Sequence, residues 1–237
     1  MKKMISAALG AALATTALVA PVAAHAGSAD GKWQVKVLGT AVLPNGKIDT
    51  IKSIDTTTTL GGALAATAGA DVKANDNVVP TLAVEYFFTP NFSAETICCF
   101  TGHHVEGDKG LAGAGHIVDH VLILPATVTL KAHLPLGPIK PYIGAGPALF
   151  LVFGEKPGAT AAALGIDKVR MSNSVGAALQ GGVDIALGDK GFGISLDAKK
   201  YFMKPTAKFY DTNGVLALET KHKLDPWVLS AGVTYRF

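Results

Sequence analysis

The sequence predicts an eight-stranded antiparallel β-barrel that spans a membrane, and three observations support this fold class. Residues 227–237 alternate apolar side chains with small or polar ones and end on Phe237, a pattern typical of a strand between lipid and a wet interior. After residue 26, no apolar stretch reaches the roughly twenty residues that a transmembrane helix needs. Hydrophobic residues nevertheless make up 49% of the chain, and charged residues only 16%. A barrel reconciles these facts because its apolar residues occupy alternate positions.

Residues 1–26 have the features of a cleaved signal peptide. Two lysines precede an apolar run, which ends in the small-residue cleavage site Ala24-His25-Ala26. We therefore expect residues 27–237 to be exported and to form one barrel domain in the outer membrane of a Gram-negative bacterium. The alternative is a signal anchor that remains attached to the protein.

Eight segments alternate with a period of two and are predicted to be the barrel strands. They are residues 32–43, 77–88, 92–103, 118–134, 140–153, 172–187, 191–203 and 226–237. Three of the links between them are short turns, whereas the four links after the first, third, fifth and seventh strands are long. Short periplasmic turns and long outer loops are usual for outer-membrane barrels.

The alternation places the ionised side chains on the lumenal face. In the second strand, Leu82 and Val84 are predicted to face lipid, while Glu85 faces inward. The predicted lumen holds four cations and four anions: Lys36, Lys131, Lys199 and Arg236 with Glu85, Glu95, Asp184 and Asp197. In a barrel this narrow, we expect these charges to pair as a structural plug. A role in selectivity or gating is the alternative.

Several segments, taken together in this order, carry a family resemblance. They are PTLAVEYFFTPN at residues 80–91, KPYIGAG at residues 140–146, DPW at residues 225–227 and the terminal YRF at residues 235–237. This set resembles the OmpW family of small outer-membrane proteins and spans most of the mature chain. The resemblance implies an eight-stranded barrel with a narrow hydrophobic lumen, which admits small apolar molecules and releases them sideways into the bilayer.

On the basis of this resemblance we predict a channel for small hydrophobic molecules. Leu38, Phe87 and Leu149 are predicted to line or gate its path, although the fifth strand is apolar on both faces. The alternative is a passive structural or surface-recognition barrel that contacts its partners through its loops. The two hypotheses differ on whether the lumen holds a continuous apolar cavity or is packed shut by its charges.

Two of the long links contain apolar, alanine-rich segments, residues 60–70 and 158–166. They could roof an external hydrophobic pocket, or they could form amphipathic helical turns that lie at the membrane interface. We favour the interface position.

Cys98 and Cys99 are adjacent in a predicted strand, so their side chains point to opposite faces. A vicinal disulfide would require a sharp local distortion. We therefore expect two small hydrophobic residues, one toward lipid and one toward the lumen.

Four histidines surround the second long link: His103, His104, His116 and His120. His116 and His120 would share a face if this link formed a turn of helix, which is one way to hold a metal ion. Since the surrounding segment is rich in glycine and no fourth ligand is specified, we expect no metal site. No serine occurs in a nucleophile context such as G-x-S-x-G, so we expect neither catalysis nor a cofactor.

Net charge gives little indication of partners. The formal charge of +3 falls to about +1 once the two signal-peptide lysines are removed, so no nucleic-acid surface is predicted. The expected partners are membrane lipids, lipopolysaccharide, small hydrophobic solutes and, through the terminal Phe237, the barrel-assembly machinery.

Overall fold

A computed structural model describes residues 27–237; the predicted signal peptide, residues 1–26, lies outside this range. The described chain forms fourteen strands and two short helices. The strands are β1 (Trp33–Leu43), β2 (Lys47–Ile54), β3 (Ala70–Ala74), β4 (Asn77–Thr89), β5 (Phe92–Cys98), β6 (Thr101–Lys109), β7 (His116–His133), β8 (Ile139–Pro157), β9 (Ile166–Met171), β10 (Ser174–Ala186), β11 (Phe192–Phe202), β12 (Thr206–Asp211), β13 (Leu216–Lys223) and β14 (Trp227–Arg236). The helices are α1 (Thr59–Ala65) and α2 (Ala159–Ala163).

Eight strands close into an antiparallel barrel, which confirms the predicted fold class. Their order around the wall is β1, β4, β5, β7, β8, β10, β11 and β14, and β14 pairs with β1 to complete the circle. Each barrel strand therefore pairs on both sides, and the wall has no free edge. Closure of this kind satisfies backbone hydrogen bonds that lipid cannot satisfy.

The two faces of the wall differ sharply in polarity. On β4, the side chain of Leu82 is 54% exposed on the outside, whereas Glu85 is fully buried in the lumen.

The three short turns, after β4, β7 and β10, share one end of the barrel with the main-chain hydrogen bonds between Trp33 and Phe237. By the usual asymmetry of outer-membrane barrels, this is the periplasmic end. Aromatic contacts such as Trp33 with Tyr86, 4.8 Å between ring centroids, surround it.

Six strands lie outside the closed wall, and of these the predicted set of eight strands includes only the start of β6. The predicted third strand, residues 92–103, is two strands, because the chain leaves β5 after Cys98 and enters β6 at Thr101. β6 pairs with the outward part of β7 and with β3. β2, β13, β12 and β9 form a separate four-stranded sheet. We call this outward structure, together with α1 and α2, the cap.

The two apolar link segments form helices that pack inside the cap. Thr58 begins α1, since its hydroxyl accepts a hydrogen bond from the backbone N–H of Gly61 at 3.1 Å. Leu60 and Leu64 of α1 and Ala161 of α2 are buried in the main hydrophobic core. The interface position that we favoured is therefore wrong, because these side chains are buried in protein; the segments roof an apolar interior. Neither helix, nor any other in residues 27–237, has the length and apolarity of a membrane span.

Asp71 joins three parts of the cap. Its carboxylate accepts hydrogen bonds from the backbone N–H groups of Ile48 at 2.9 Å and Val72 at 3.0 Å, and from the ammonium of Lys109 at 2.7 Å. Burial alone would raise the pKa of Asp71, but the hydrogen bonds from Lys109 and the two N–H groups outweigh it and lower the pKa below its usual value. The resulting stabilisation is present above the carboxyl pKa of the unfolded chain and is lost as pH falls through the lowered pKa.

We expect Asp71→Asn to loosen the cap at neutral pH. Hydrogen bonds to a charged group contribute about 1.5–3 kcal/mol, and amide exchange in β2 and β3 should accelerate accordingly. Wild-type exchange in these strands should also accelerate on acidification, and the variant should show less of this acid dependence. The matched control is Asp76→Asn, because Asp76 is exposed. Equal exchange rates in the two variants would contradict the prediction.

Candidate functional site

The periplasmic half of the lumen holds a buried network of ion pairs with Glu95 at its centre. One carboxylate oxygen, Oε2, lies 3.1 Å from Lys36 Nζ and 3.0 Å from Lys131 Nζ. The other oxygen, Oε1, accepts hydrogen bonds from Lys199 Nζ at 2.9 Å and Gln180 Nε2 at 2.8 Å. Four strands, β1, β5, β7 and β11, thus supply the charged groups that meet at this point.

Glu85 forms a second centre beside the first. Its Oε2 lies 2.9 Å from the ammonium groups of both Lys36 and Lys131. Its Oε1 accepts a hydrogen bond from the Ser93 hydroxyl at 2.5 Å and lies 3.0 Å from His133 Nε2. The two glutamates therefore share two lysines, and all of these side chains are buried.

Two aspartates on the adjacent strands β10 and β11 complete the network. Asp184 lies 3.2 Å from Lys36 Nζ. Asp197 lies 2.9 Å from Lys199 Nζ and accepts a hydrogen bond from the Tyr142 hydroxyl at 2.7 Å. Seven of the eight predicted charges thus form one connected cluster, which we call the lumenal plug: Lys36, Lys131, Lys199, Glu85, Glu95, Asp184 and Asp197.

Arg236 lies outside the lumenal plug. Its guanidinium carbon sits 3.6 Å from the ring centroid of Phe87, and its Nε donates to the carbonyl of Gly31 at 2.6 Å. Phe87 is buried, but it lies at the periplasmic end, 5.0 Å from the ring of His133, and not along an apolar path. These two residues close the periplasmic end beneath the plug.

The outward half of the lumen is an apolar cavity, with about 770 Å³ of space between its lining atoms when its open mouth is included. Leu38, one of the predicted path residues, lines it, and Lys199 of the plug reaches its floor. The prediction for Leu149 is wrong: Phe150 takes the lumenal position and Leu149 lies on the outer face of β8, opposite Val175. Since residues 148–153 are apolar on both faces, alternation could not identify the inward side.

Two further apolar cavities continue from this one into the cap. A cavity of about 440 Å³ shares Ala74 and Leu224 with the lumenal cavity. It shares Val72 and Phe209 with a third cavity, of about 600 Å³, which Leu64 of α1 also lines. The shared walls show that the three cavities are neighbours between the helices of the cap and the lumenal plug.

The barrel wall is interrupted beside the lumenal cavity. The β4–β5 ladder ends at the pair Leu82 and Cys98, and further out a hydrogen bond of 2.7 Å from Asn77 Nδ2 to the Gly102 carbonyl joins β4 to β6. Between these points lie residues 78–81 of β4 and, on the other side, Cys99 and Phe100, which separate β5 from β6. We call this interruption the wall gap. Because unpaired backbone is costly in lipid, the wall gap is a candidate functional feature.

Comparison with known proteins agrees with this architecture. The sequence model of the OmpW family matches residues 29–237. The chain belongs to the OmpW family. It is 35% identical to an uncharacterized outer-membrane protein of Sinorhizobium fredii, over 97% of this chain and 91% of the relative. It is 25% identical to outer membrane protein W of Vibrio cholerae, over 92% of this chain and 93% of the relative.

The fold is that of solved outer-membrane barrels. The crystal structure of OprG from Pseudomonas aeruginosa superposes with a TM-score of 0.71 at 21% identity, covering 89% of this chain and 98% of OprG. As a member of the OmpW family with this fold, the protein is an outer-membrane β-barrel.

The two cysteines of this OmpW-family protein are free and lie at the wall gap. Cys98 is exposed on the outer face, whereas Cys99 is buried and lines the lumenal cavity. Their opposite orientations follow the predicted alternation. Phe100, the next residue, is exposed on the lipid side.

The histidines lie on strands of the OmpW barrel and not on a helical turn. His103 is buried on β6, where its ring contacts the Thr101 hydroxyl at 2.9 Å and lines the lumenal cavity. His116 and His120 both lie on β7. The helical face that would have joined them is therefore absent from the described chain.

Some lumenal residues of this OmpW barrel were not predicted from the sequence. Tyr201 and His133 follow Lys199 and Lys131 by two positions on the same strands, so the alternation could have identified both as inward-facing. Phe150, whose ring packs 5.2 Å from that of Tyr201, carries no such signal because its strand is apolar on both faces.

Proposed function

We propose that this OmpW-family protein takes up small hydrophobic molecules from outside the cell and releases them sideways into the outer membrane. The observation that carries the proposal is the division of the lumen into an apolar outward half and an ion-paired periplasmic half. An apolar solute gains favourable contacts in the outward half, whereas passage through the lumenal plug would break buried ion pairs. The family resemblance also implies a narrow hydrophobic lumen with sideways release.

The wall gap supports the second part of this proposal. The β4–β5 ladder ends beside Thr81 and Cys99, both of which line the lumenal cavity. On the outer side Phe100 is 60% exposed toward the lipid. A solute held in the cavity therefore lies next to the point where the β4–β5 ladder ends.

Transfer of a fluorescent hydrophobic solute into phospholipid vesicles that contain the folded protein tests this function. We expect Leu38→Trp to reduce transfer strongly, because the indole would occupy the cavity. Such overpacking costs about 1–3 kcal/mol, so folding must be checked by heat modifiability. The matched control is Leu149→Trp, which places the same side chain on the outer face of β8. Equal transfer by both variants would contradict the proposed route, and no transfer by folded wild-type protein would favour the passive barrel.

We also propose that Phe237 is read by the barrel-assembly machinery. Its backbone exchanges hydrogen bonds of 2.8 and 2.9 Å with Trp33, so this residue closes β14 onto β1. We expect Phe237→Ser to lower insertion into the outer membrane several-fold, and Phe237→Tyr to preserve it, because the machinery of this class reads a terminal aromatic side chain. The measurement is the heat-modifiable protein in isolated outer membranes. Equal insertion of the two variants would argue against recognition of the aromatic ring.

A further inference from the structure

The outward ends of β6 and β7 bring two imidazoles and a carboxylate together. His104 and Glu106 alternate onto one face of β6, and the strand register sets His116 opposite Glu106. The Nε2 atoms of both histidines lie 3.5 Å from Glu106 Oε1. One ligand atom from each of the three side chains lies within 4.8 Å of the others.

We propose that His104, Glu106 and His116 bind a divalent transition-metal ion, for which Zn²⁺ is the appropriate probe. Zinc bonds to imidazole nitrogen and carboxylate oxygen measure about 2.0–2.2 Å, which places tetrahedral ligands about 3.4 Å apart. Both imidazole-to-carboxylate distances match this spacing. Two histidines and one glutamate are also a known ligand set for zinc with an open fourth position.

Asp119 supports the assignment by orienting one of the ligands. The Nδ1 atom of His116 lies 3.2 Å from Asp119 Oδ1. When Nδ1 donates its hydrogen to this carboxylate, the lone pair of the neutral ring is on Nε2, which faces Glu106. Metal-binding histidines almost always make such a second hydrogen bond, which fixes the tautomer.

The stacking of the two histidines gives a second reason to place a cation there. Their ring centroids are 4.5 Å apart with an interplanar angle of 24°. The stacked rings bring both Nε2 atoms to the same oxygen of Glu106, so one ion can contact all three groups. The three ligand side chains are 34–40% exposed, so an ion can enter from outside and retain a water molecule. Imidazole ligands favour zinc, copper or nickel over magnesium and calcium.

A second group of metal-ligand types, Glu85, His133 and Asp184, lies inside the lumen. It does not carry the same inference, because Lys36 and Lys131 already occupy its carboxylate oxygens at 2.9–3.2 Å. An added cation there would face two ammonium groups.

The proposed ion would fasten β6 to β7 where their pairing is irregular. The register shifts between His103 and Val105, and again between Val105 and Glu106. A bulged ribbon of this kind has fewer ladder bonds than a regular one. An ion that joins His104 and Glu106 of one strand to His116 of the other replaces part of this lost pairing, just outward of the wall gap.

The test is a Zn²⁺ titration of the mature protein, purified without a polyhistidine tag and folded in detergent micelles, against a chromophoric zinc chelator. We expect wild-type protein to bind one Zn²⁺ per chain. The double variant His104→Ala/His116→Ala should lose at least about 100-fold in affinity, and Asp119→Asn should lose about 10- to 100-fold, as is usual for a residue that orients a ligand. The control His120→Ala should bind as wild type does, since His120 lies outside the ligand group.

Heat modifiability and circular dichroism confirm that each variant is folded, so that a loss of binding is not a loss of structure. X-ray absorption at the zinc edge should show two imidazoles and oxygen ligands. No saturable binding by folded wild-type protein, full binding by the double variant, or sulfur ligation by the cysteines would overturn the proposal. Unchanged affinity in Asp119→Asn would overturn the orienting role of that residue.

Discussion

Replacing Glu95 by alanine is expected to lower the free energy of unfolding by about 3–5 kcal/mol, because it leaves buried ammonium groups without their shared partner. Lys36, Lys131 and Lys199 all lie within 3.1 Å of this carboxylate. Lys36 and Lys131 keep Glu85, and Lys199 keeps Asp197, so three lysines still face three carboxylates, but each ammonium group loses one of its buried ion pairs. Water that enters to solvate them should also raise the ion conductance of the barrel.

The chain provides a matched control for this variant. Glu219 also faces two lysines, Lys52 at 3.2 Å and Lys208 at 3.5 Å, but both lysine side chains are more than 40% exposed. Exposed pairs contribute about 0–1 kcal/mol, so Glu219→Ala should have little effect. Urea unfolding in phospholipid vesicles, followed by tryptophan fluorescence, gives both values. If the two variants were equally stable, the lumenal plug would not be what holds the barrel wall together.

A disulfide across the wall gap is expected to stop most solute transfer into the bilayer. Extending the register from the pair Leu82 and Cys98 places Thr81 opposite Cys99, with both side chains buried in the lumenal cavity. Directly opposed residues have Cβ atoms about 4.5–5.5 Å apart, close enough for a disulfide after a small adjustment. We expect the oxidised variant Thr81→Cys/Cys98→Ala to lose transfer and a reductant to restore it.

The control separates closure of the gap from the substitutions themselves. The triple variant Thr81→Cys/Cys98→Ala/Cys99→Ala keeps the new thiol but has no partner for it, so oxidant should leave its transfer unchanged. Mass spectrometry of the intact chain shows whether the cross-link has formed. Undiminished transfer by the fully cross-linked protein would exclude release through the wall gap. Uptake into the cavity would remain possible, with release at another place.

The alternation of residue types predicted the direction of many side chains correctly. Lys131 lies between Leu130 and Ala132, and Asp184 lies between Val183 and Ile185. Because the charged side chain must face the lumen, its position determines which face of each strand contacts lipid. Both residues are in the lumenal plug, as the pattern requires. Where one face is apolar and the other polar, the pattern alone was sufficient.

Depth along the barrel could not be predicted in the same way. Alternation states which face a side chain occupies, but not how far it lies from the membrane centre. Arg236 was therefore predicted to lie with the other lumenal charges, and Phe87 to lie along the path for hydrophobic molecules. In the structure the two residues contact each other at the periplasmic end. Leu149 failed for a different reason, because its strand has no polar face.

The cap was the least predictable part of the molecule. Its strands are short and its helices span seven and five residues, below the length at which a helical period can be recognised. The break after Cys98 also had no local signal, since the adjacent residues are themselves good strand formers. The position of this break depends on the pairing of β6 with β7 and β3, which is specified only in the folded chain.

The division of the lumen into two tiers separates the groups that hold the cylinder together from most of those that would meet a guest molecule. Changes at well-separated positions add nearly independently, so the upper tier can acquire new shapes while the lower tier keeps its bonding intact. Homologues could therefore evolve to bind a different solute without losing stability. This property makes the scaffold well suited to diversification.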